Sequence, residues 1–187
     1  KGDMMIDSQH NKIGDIAADL TDTGTLTLTN KTDMKVTKIE NRNVDPKKDV
    51  EGIEAKSTHI KLDAGKKLNV EEKIKTKDDA KLEADDMNLG SKINVGKTLT
   101  LEKSDKTKAV SVGTGPNDWN VNNAQYGNIK IGGNGQSGDI KVKDTTFKNP
   151  SDIETTGHVK LEGTNKAGAD GKPDMKITAQ TAELPNA

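Results

Sequence analysis

The stretch from Ile60 to Leu101 repeats one small pattern, in which two apolar residues flank a single polar one. Side chains two positions apart lie on the same face of a β-strand, so each pair predicts the inward face of a very short strand. Polar residues or glycine follow the pairs, where we expect the chain to turn. The pairs are Ile60/Leu62, Leu68/Val70, a weaker Ile74/Thr76, Ala80/Leu82, Met87/Leu89, Ile93/Val95 and Leu99/Leu101.

The pairs return at a nearly constant interval. Pairs three steps apart begin at positions 60 and 80, 68 and 87, 74 and 93, and 80 and 99. The interval is about 19 residues each time, and a period of this size is typical of solenoids, in which stacked repeats bury together the apolar face that no single repeat can bury alone. A helix is excluded because apolar residues at i and i+2 form no stripe at the helical period.

The sequence therefore predicts an all-β fold, a right-handed parallel β-helix with three sides, about 19 residues per coil and protruding loops. The pattern breaks at 40–50, 113–128 and 162–174, where we expect those loops. Residues 1–187 are expected to form a single β-helix segment of a larger protein, since the sequence begins at Lys1 without an initiator methionine. Roughly nine coils at about 4.8 Å each would make a rod about 40 to 45 Å long.

Composition favours a solenoid over a globular core. Trp119, Tyr126 and Phe147 are the only aromatic residues, and 29% of the chain is hydrophobic. Large rings supply much of the buried area of a globular core, so stacked aliphatic side chains and backbone hydrogen bonds must replace them. Low hydrophobicity also fits disorder, but a disordered chain has no reason to keep a paired periodicity.

Charge and cysteine content narrow the classes of partner. The 29 basic and 30 acidic residues give a net charge of -1, so we expect no strong field toward nucleic acid or membrane. No apolar run is long enough to span a bilayer, and the sequence predicts no transmembrane segment. Since the chain has no cysteine, a disulfide framework and thiolate chemistry are excluded.

The predicted loop at 113–128 contains two of the three aromatic residues, Trp119 and Tyr126. Aromatic rings beside a glycine-rich segment can serve as a platform for a ligand, which makes the two residues a candidate binding loop. The alternative is that both rings pack inward and staple the loop onto the wall of the solenoid.

The sequence predicts no catalytic, cofactor or metal site. Residues 91–98 approach a phosphate-binding loop, but Ser91 stands where that loop needs glycine. Residues 132–137 approach a calcium-binding repeat, but Ser137 replaces the ligating aspartate. The three histidines, His10, His59 and His158, are too far apart in sequence to predict a triad or a metal site.

Two pairs of adjacent acids keep an enzyme among the alternatives. Carboxylate pairs can cleave glycosides, and Asp78, Asp79, Asp85 and Asp86 would have to converge in one groove to do so. Adjacent acids on a lysine-rich wall are more often solvated charge, and we predict that the chain is not an enzyme.

Several short segments that begin with glycine resemble the repeats of a known family. They are Gly24–Leu28, Gly65–Leu68 in looser form, Gly96–Leu101, Gly127–Ile131 and Gly138–Val142. Together with the periodic return of the apolar pairs, they resemble the shaft repeats of filamentous-haemagglutinin-like proteins. These are large exoproteins of Gram-negative bacteria, exported by two-partner secretion.

The resemblance implies a structural and binding shaft segment of a large adhesin, secreted or displayed at the cell surface, with a role in virulence. Its implied partners are an outer-membrane two-partner-secretion transporter and a host or bacterial surface receptor, and it implies no cofactor. Two-partner-secreted toxins of the leukotoxin or contact-dependent-inhibition type share this shaft and stay an alternative. A polysaccharide-active β-helix enzyme is the third.

Overall fold

The computed structural model describes residues 3–8, 10–40, 49–90, 92–167 and 174–185. These residues form an all-β fold without any helix. Within them, no segment has the helical length and apolar character that crossing a bilayer requires.

The strands are β1 (Met4–Ile6), β2 (Asp15–Ile16), β3 (Ala18–Thr29), β4 (Met34–Val36), β5 (Lys38–Ile39), β6 (Val50–Glu51), β7 (Ile53–Asp63), β8 (Lys67–Val70), β9 (Ile74–Thr76), β10 (Ala80–Glu83), β11 (Asp86–Asn88), β12 (Ile93–Glu102), β13 (Val110–Val112), β14 (Gln125–Gly132), β15 (Ile140–Lys143), β16 (Thr146–Phe147), β17 (Ser151–Glu154), β18 (His158–Glu162), β19 (Lys166–Ala167), β20 (Met175–Thr178) and β21 (Thr181–Glu183).

The strands assemble into three larger parallel sheets. The first has nine strands in the order β1-β3-β7-β10-β12-β14-β17-β20, with β9 pairing β7 and β12, and it curls into a half-barrel. The second has the order β11-β8-β4-β2, and the third β13-β15-β18-β21. Two small sheets complete the described part of the chain: β16 pairs β19 in parallel, and β5 pairs β6 antiparallel.

Neighbouring strands in the larger sheets come from successive returns of the chain to the same sheet. We call the stretch of chain between two such returns a circuit. In the first sheet, Ile60 pairs with Ala80, and Ala80 pairs in turn with Leu99. In the second sheet, Leu68 pairs with Met87. These partners begin the same apolar pairs that the sequence places three steps apart, so the period of the sequence is the period of the stacking.

Two circuits are longer than the others. Leu26 pairs with Ile60, and Leu99 pairs with Ile129. Each of these circuits is therefore more than one and a half times as long as the common period. The extra residues fall at 40–50 and within 113–128, where the sequence predicts loops. Pairing resumes in register after each, so the additions leave the stacking of neighbouring circuits unchanged.

The core is a column of aliphatic side chains enclosed by the sheets. All the pairs between Ile60 and Leu101 are buried, as the period-two pattern predicts. Each inward residue lies above its counterpart one circuit away, because parallel pairing keeps equivalent positions in register. At the edge strands burial falls: Met4 and Ile6 of β1 are exposed, and Met175 and Ile177 of β20 are half-buried.

Aspartate side chains link neighbouring circuits where the chain turns. In several places in the described residues, a carboxylate Oδ1 accepts the backbone N–H of a residue one circuit further on, at 2.8 to 3.0 Å. The pairs are Asp3 and Thr25, Asp79 and Thr98, Asp85 and Asp105, Asp139 and His158, and Asp144 and Thr164. These bonds satisfy backbone donors near strand ends and fix each turn against the next.

The three predicted loops are described in part. Residues 41–48 and 168–173 lie outside the described residues, so the predictions for 40–50 and 162–174 concern mainly their flanks. The flanks of the first loop form the antiparallel pair β5 and β6. In the loop at 113–128, the residues from Gln125 onward belong to β14, because Gln125 and Tyr126 pair with Asn94 and Val95 of the preceding circuit.

Candidate functional site

Trp119 and Tyr126, the candidate binding loop, have buried side chains that are 1% and 5% exposed. The backbone N–H of Trp119 donates to the carbonyl of Ser111 at 2.8 Å. The Nζ atom of Lys103 lies 5.3 Å from the centroid of the Trp119 ring, within the range of a cation–π interaction. This arrangement is the one the staple alternative requires. A binding role of the loop stays a prediction. Exposed polar residues of the loop, and not the two buried rings, would have to contact the ligand.

Burial raises the pKa of the Tyr126 hydroxyl from 10.0 to about 12, because a phenolate is costly in apolar surroundings. Tyr126 is the only tyrosine, so we expect the phenolate absorbance to titrate near pH 12 in the folded protein and near pH 10 in the unfolded protein. A proton held more tightly in the folded state stabilises the fold below pH 10. That contribution, about 2 to 3 kcal/mol, is lost as the pH rises from 10 to 12.

The lysines also lose charge in this range, so Tyr126→Phe is the matched control. The loss of stability between pH 10 and pH 12 should be smaller in the variant by the contribution of the phenol. A phenolate absorbance that titrates near pH 10 in the folded protein would contradict the burial of this hydroxyl.

A groove in two parts lies on the surface beside β9, β11 and β12 and the loop at 113–124. Its larger part encloses about 760 Å³. This part is lined by Lys73, Lys75, Gly90, Lys92, Ile93, Asn94, Asn123 and Gln125. Its smaller part encloses about 290 Å³ and shares Gly90 and Asn123 with the larger. We call the two parts together the side groove.

Strand register builds the floor of the side groove. Lys75 pairs with Asn94, and Asn94 with Gln125, each from the next circuit, while Glu54, which does not line the groove, pairs with Lys75 from the preceding circuit. The four residues occupy the same outward position in successive strands, which lie about 4.8 Å apart. Polar groups therefore follow one another along the groove at regular spacing on a rigid backbone.

The charge of the side groove is positive at its lysine-rich part. The Nζ atoms of Lys73 and Lys75 lie 2.6 and 2.8 Å from the two carboxylate oxygens of Glu54. Hydrogen bonds from the two lysines lower the pKa of Glu54 from 4.5 to about 2, so the acid is ionised at neutral pH. Glu51 and Asp19 also act on Lys73, so the acids beside this lysine offset its charge. The positive charge of the groove rests on Lys75 and Lys92. Among the described residues, Lys92 has no acidic partner within 4.0 Å.

Ammonium groups donate hydrogen bonds, and carboxamides both donate and accept them. The lysines therefore suit an anion, while Asn94, Asn123 and Gln125 suit hydroxyl groups. The smaller part of the groove adds the side chains of Asp118 and Asn120. The larger part of the side groove has the chemistry to bind a hydroxylated, negatively charged ligand such as an acidic saccharide.

The four aspartates that would make a glycosidase fall into two separate pairs with different partners. Asp78 and Asp79 precede β10 and lie beside His59. Asp85 and Asp86 follow β10, where Asp85 pairs with Lys108 at 2.6 Å. The acids thus occupy opposite ends of one strand, and only Asp86 of the four lines the side groove.

No family model matches the chain, and comparisons with curated proteins and with solved structures find no match either. The resemblance to filamentous-haemagglutinin-like exoproteins therefore stays a prediction, carried by the repeats in the sequence.

Proposed function

We propose that this chain is a right-handed, three-sided β-helix of about 19 residues per coil, forming a structural and binding shaft segment of a large bacterial adhesin. The observation that carries the proposal is the parallel register of successive circuits, one period apart, around a buried aliphatic column. Such stacking makes a stiff rod whose length grows with the number of coils.

The side groove is the proposed receptor surface of the shaft. It lies on the wall of the rod, where stacked strands hold Lys75, Asn94 and Gln125 in fixed positions. A preformed site loses little conformational entropy when it binds, which favours attachment without a conformational change. The ligand class that fits is an anionic, hydroxyl-rich group on a host or bacterial surface.

Secretion through an outer-membrane two-partner transporter follows from the resemblance to the exoprotein family. A chain without cysteine can refold outside the cell with no disulfide to form. Each coil needs only the preceding coil as a template, so folding can proceed stepwise as the chain emerges.

The test is the attachment of labelled protein to epithelial cells and to Gram-negative bacteria, measured by flow cytometry. We expect saturable binding to at least one of them. The double variant Lys75→Gln/Lys92→Gln should bind about tenfold more weakly, because it removes two ammonium groups from the side groove.

The matched control is Lys141→Gln, which changes an exposed lysine of β15 in the third sheet. Its affinity should equal that of the unchanged protein. Absence of saturable binding, or equal loss in both variants, would contradict the side groove as the receptor surface. Lysis of the cells by the full-length protein would instead favour the toxin alternative, and cleavage of a polysaccharide the enzyme alternative.

A further inference from the structure

The register of the first sheet brings a histidine and two aspartates together from neighbouring circuits. Ile60 pairs with Ala80, so His59 lies opposite Asp79. Asp78 immediately precedes Asp79 in the chain. Both aspartates therefore lie one circuit after the histidine.

The imidazole of His59 lies between the two carboxylates. Its Nδ1 is 3.4 Å from Oδ2 of Asp79, and its Nε2 is 3.6 Å from Oδ2 of Asp78. One ligand atom from each residue can be chosen so that all three lie within 4.8 Å of one another. The side chain of His59 is 52% exposed, so an ion can reach the cluster from solvent.

The second oxygen of each carboxylate is held by another group. The backbone N–H of Thr98 donates to Oδ1 of Asp79 at 2.9 Å. The Nζ atom of Lys97 lies 2.7 Å from Oδ1 of Asp78, whose side chain is only 14% exposed. Outer contacts of this kind fix the orientation of metal ligands in proteins. They leave one oxygen of each aspartate facing the imidazole.

The types of residue in the cluster also suit a transition metal. One imidazole nitrogen and two carboxylate oxygens are ligands that zinc and its neighbours in the first transition row accept. Calcium, by contrast, prefers a larger set of ligands made up of oxygens alone.

We propose that His59, Asp78 and Asp79 form a binding site for a divalent transition-metal ion of the zinc type. Tetrahedral zinc with bonds of about 2.1 Å needs ligand atoms about 3.4 Å apart. The ligand atoms in the structure lie within 4.8 Å of one another, so binding requires the exposed imidazole to rotate and bring one nitrogen closer to both carboxylates. The ion joins two neighbouring circuits, and its fourth position faces solvent, where water or a group of a partner can bind. This site is independent of the side groove and of the adhesin proposal.

The experiment is a titration of the purified protein with zinc chloride at pH 7, followed by calorimetry and by thermal unfolding. We expect one ion per chain and a rise in Tm, because a metal that binds only the folded state stabilises it. Cobalt chloride should give the visible absorbance of a four-coordinate ion. Calcium chloride should change neither signal.

Three variants separate this site from adventitious binding. His59→Ala and Asp79→Asn should each weaken zinc binding at least tenfold, and the asparagine keeps an oxygen for the N–H of Thr98. His158→Ala, at a histidine in the third sheet that contacts Thr181, should bind zinc as the unchanged protein does. Circular dichroism of each variant without metal shows that the fold is retained.

The proposal is overturned by any of three results. They are no change in Tm at millimolar zinc, equal affinity in His59→Ala and the unchanged protein, or loss in His59→Ala without loss in Asp79→Asn. The last result would mean that a lone surface histidine binds the ion.

Discussion

Replacing Leu82 with alanine is expected to lower the free energy of unfolding by about 3 to 4 kcal/mol. The side chain is 0% exposed, and its strand β10 pairs with β7 on one side and β12 on the other. Hydrogen bonds on both sides keep the backbone from collapsing into the space that the substitution opens. The cost should therefore fall near the middle of the range for buried leucine and not at its lower end.

Urea unfolding followed by circular dichroism measures this change, and Leu184→Ala is the matched control. Leu184 is 64% exposed, so the same substitution there should cost less than about 0.5 kcal/mol. Similar losses in the two variants would mean that Leu82 does not lie in a packed column.

Replacing Gly52 with alanine is expected to cost more than about 3 kcal/mol. The residue has a φ angle of +67°, which L side chains rarely adopt, and an added Cβ would lie 2.1 Å from the carbonyl oxygen of Lys73. Backbone cannot move away easily here, since the carbonyl of Gly52 also accepts the N–H of Ala18 at 2.8 Å. Thermal and urea unfolding of the variant measure the loss.

Gly14→Ala is the control for this substitution. An added Cβ at Gly14 has no atom within 4 Å, and the residue does not have the left-handed φ angle of Gly52. The free energy of unfolding of Gly14→Ala should change by no more than about 0.5 to 1 kcal/mol. We expect a gain, because alanine restricts the unfolded chain more than glycine does. A Gly52→Ala protein as stable as Gly14→Ala would contradict the close approach of the two circuits.

The inward faces of the strands could be predicted because each depends on a local pattern. Leu68 and Val70 alternate with polar residues, and this alternation decides which side of a strand is buried. The pairing of Leu68 with Met87 could also be anticipated, since they lie one period of the sequence apart. Local alternation and a constant period together contain most of the information about the stacked sheets.

The breaks in the period could be located in the sequence, but the pairing of strands across them could not be predicted in the same way. The sequence alone does not show that Leu26 pairs with Ile60 across a circuit much longer than the common period, because a loop of any length is compatible with the same inward faces. The pattern of apolar residues also does not predict the antiparallel pair β5 and β6, since both strands are too short to show an alternation.

The candidate sites depend on contacts between neighbouring circuits, which separation in the sequence does not show directly. The three histidines are far from one another in the sequence, whereas the acidic groups beside His59 lie one circuit away at Asp78 and Asp79. Lys75 and Asn94 of the side groove are likewise one circuit apart. In both sets the residues are separated by about the interval of the apolar pairs, which is the signal in the sequence that relates them.

The unequal lengths of the circuits have a practical consequence. Between Leu26 and Ile60 the chain is considerably longer than between Ile60 and Ala80, yet β7 keeps its hydrogen bonds to β3 and to β10. The segment between β5 and β6 is therefore the place where we expect the chain to accept an inserted peptide of different length without a redesign of the buried residues.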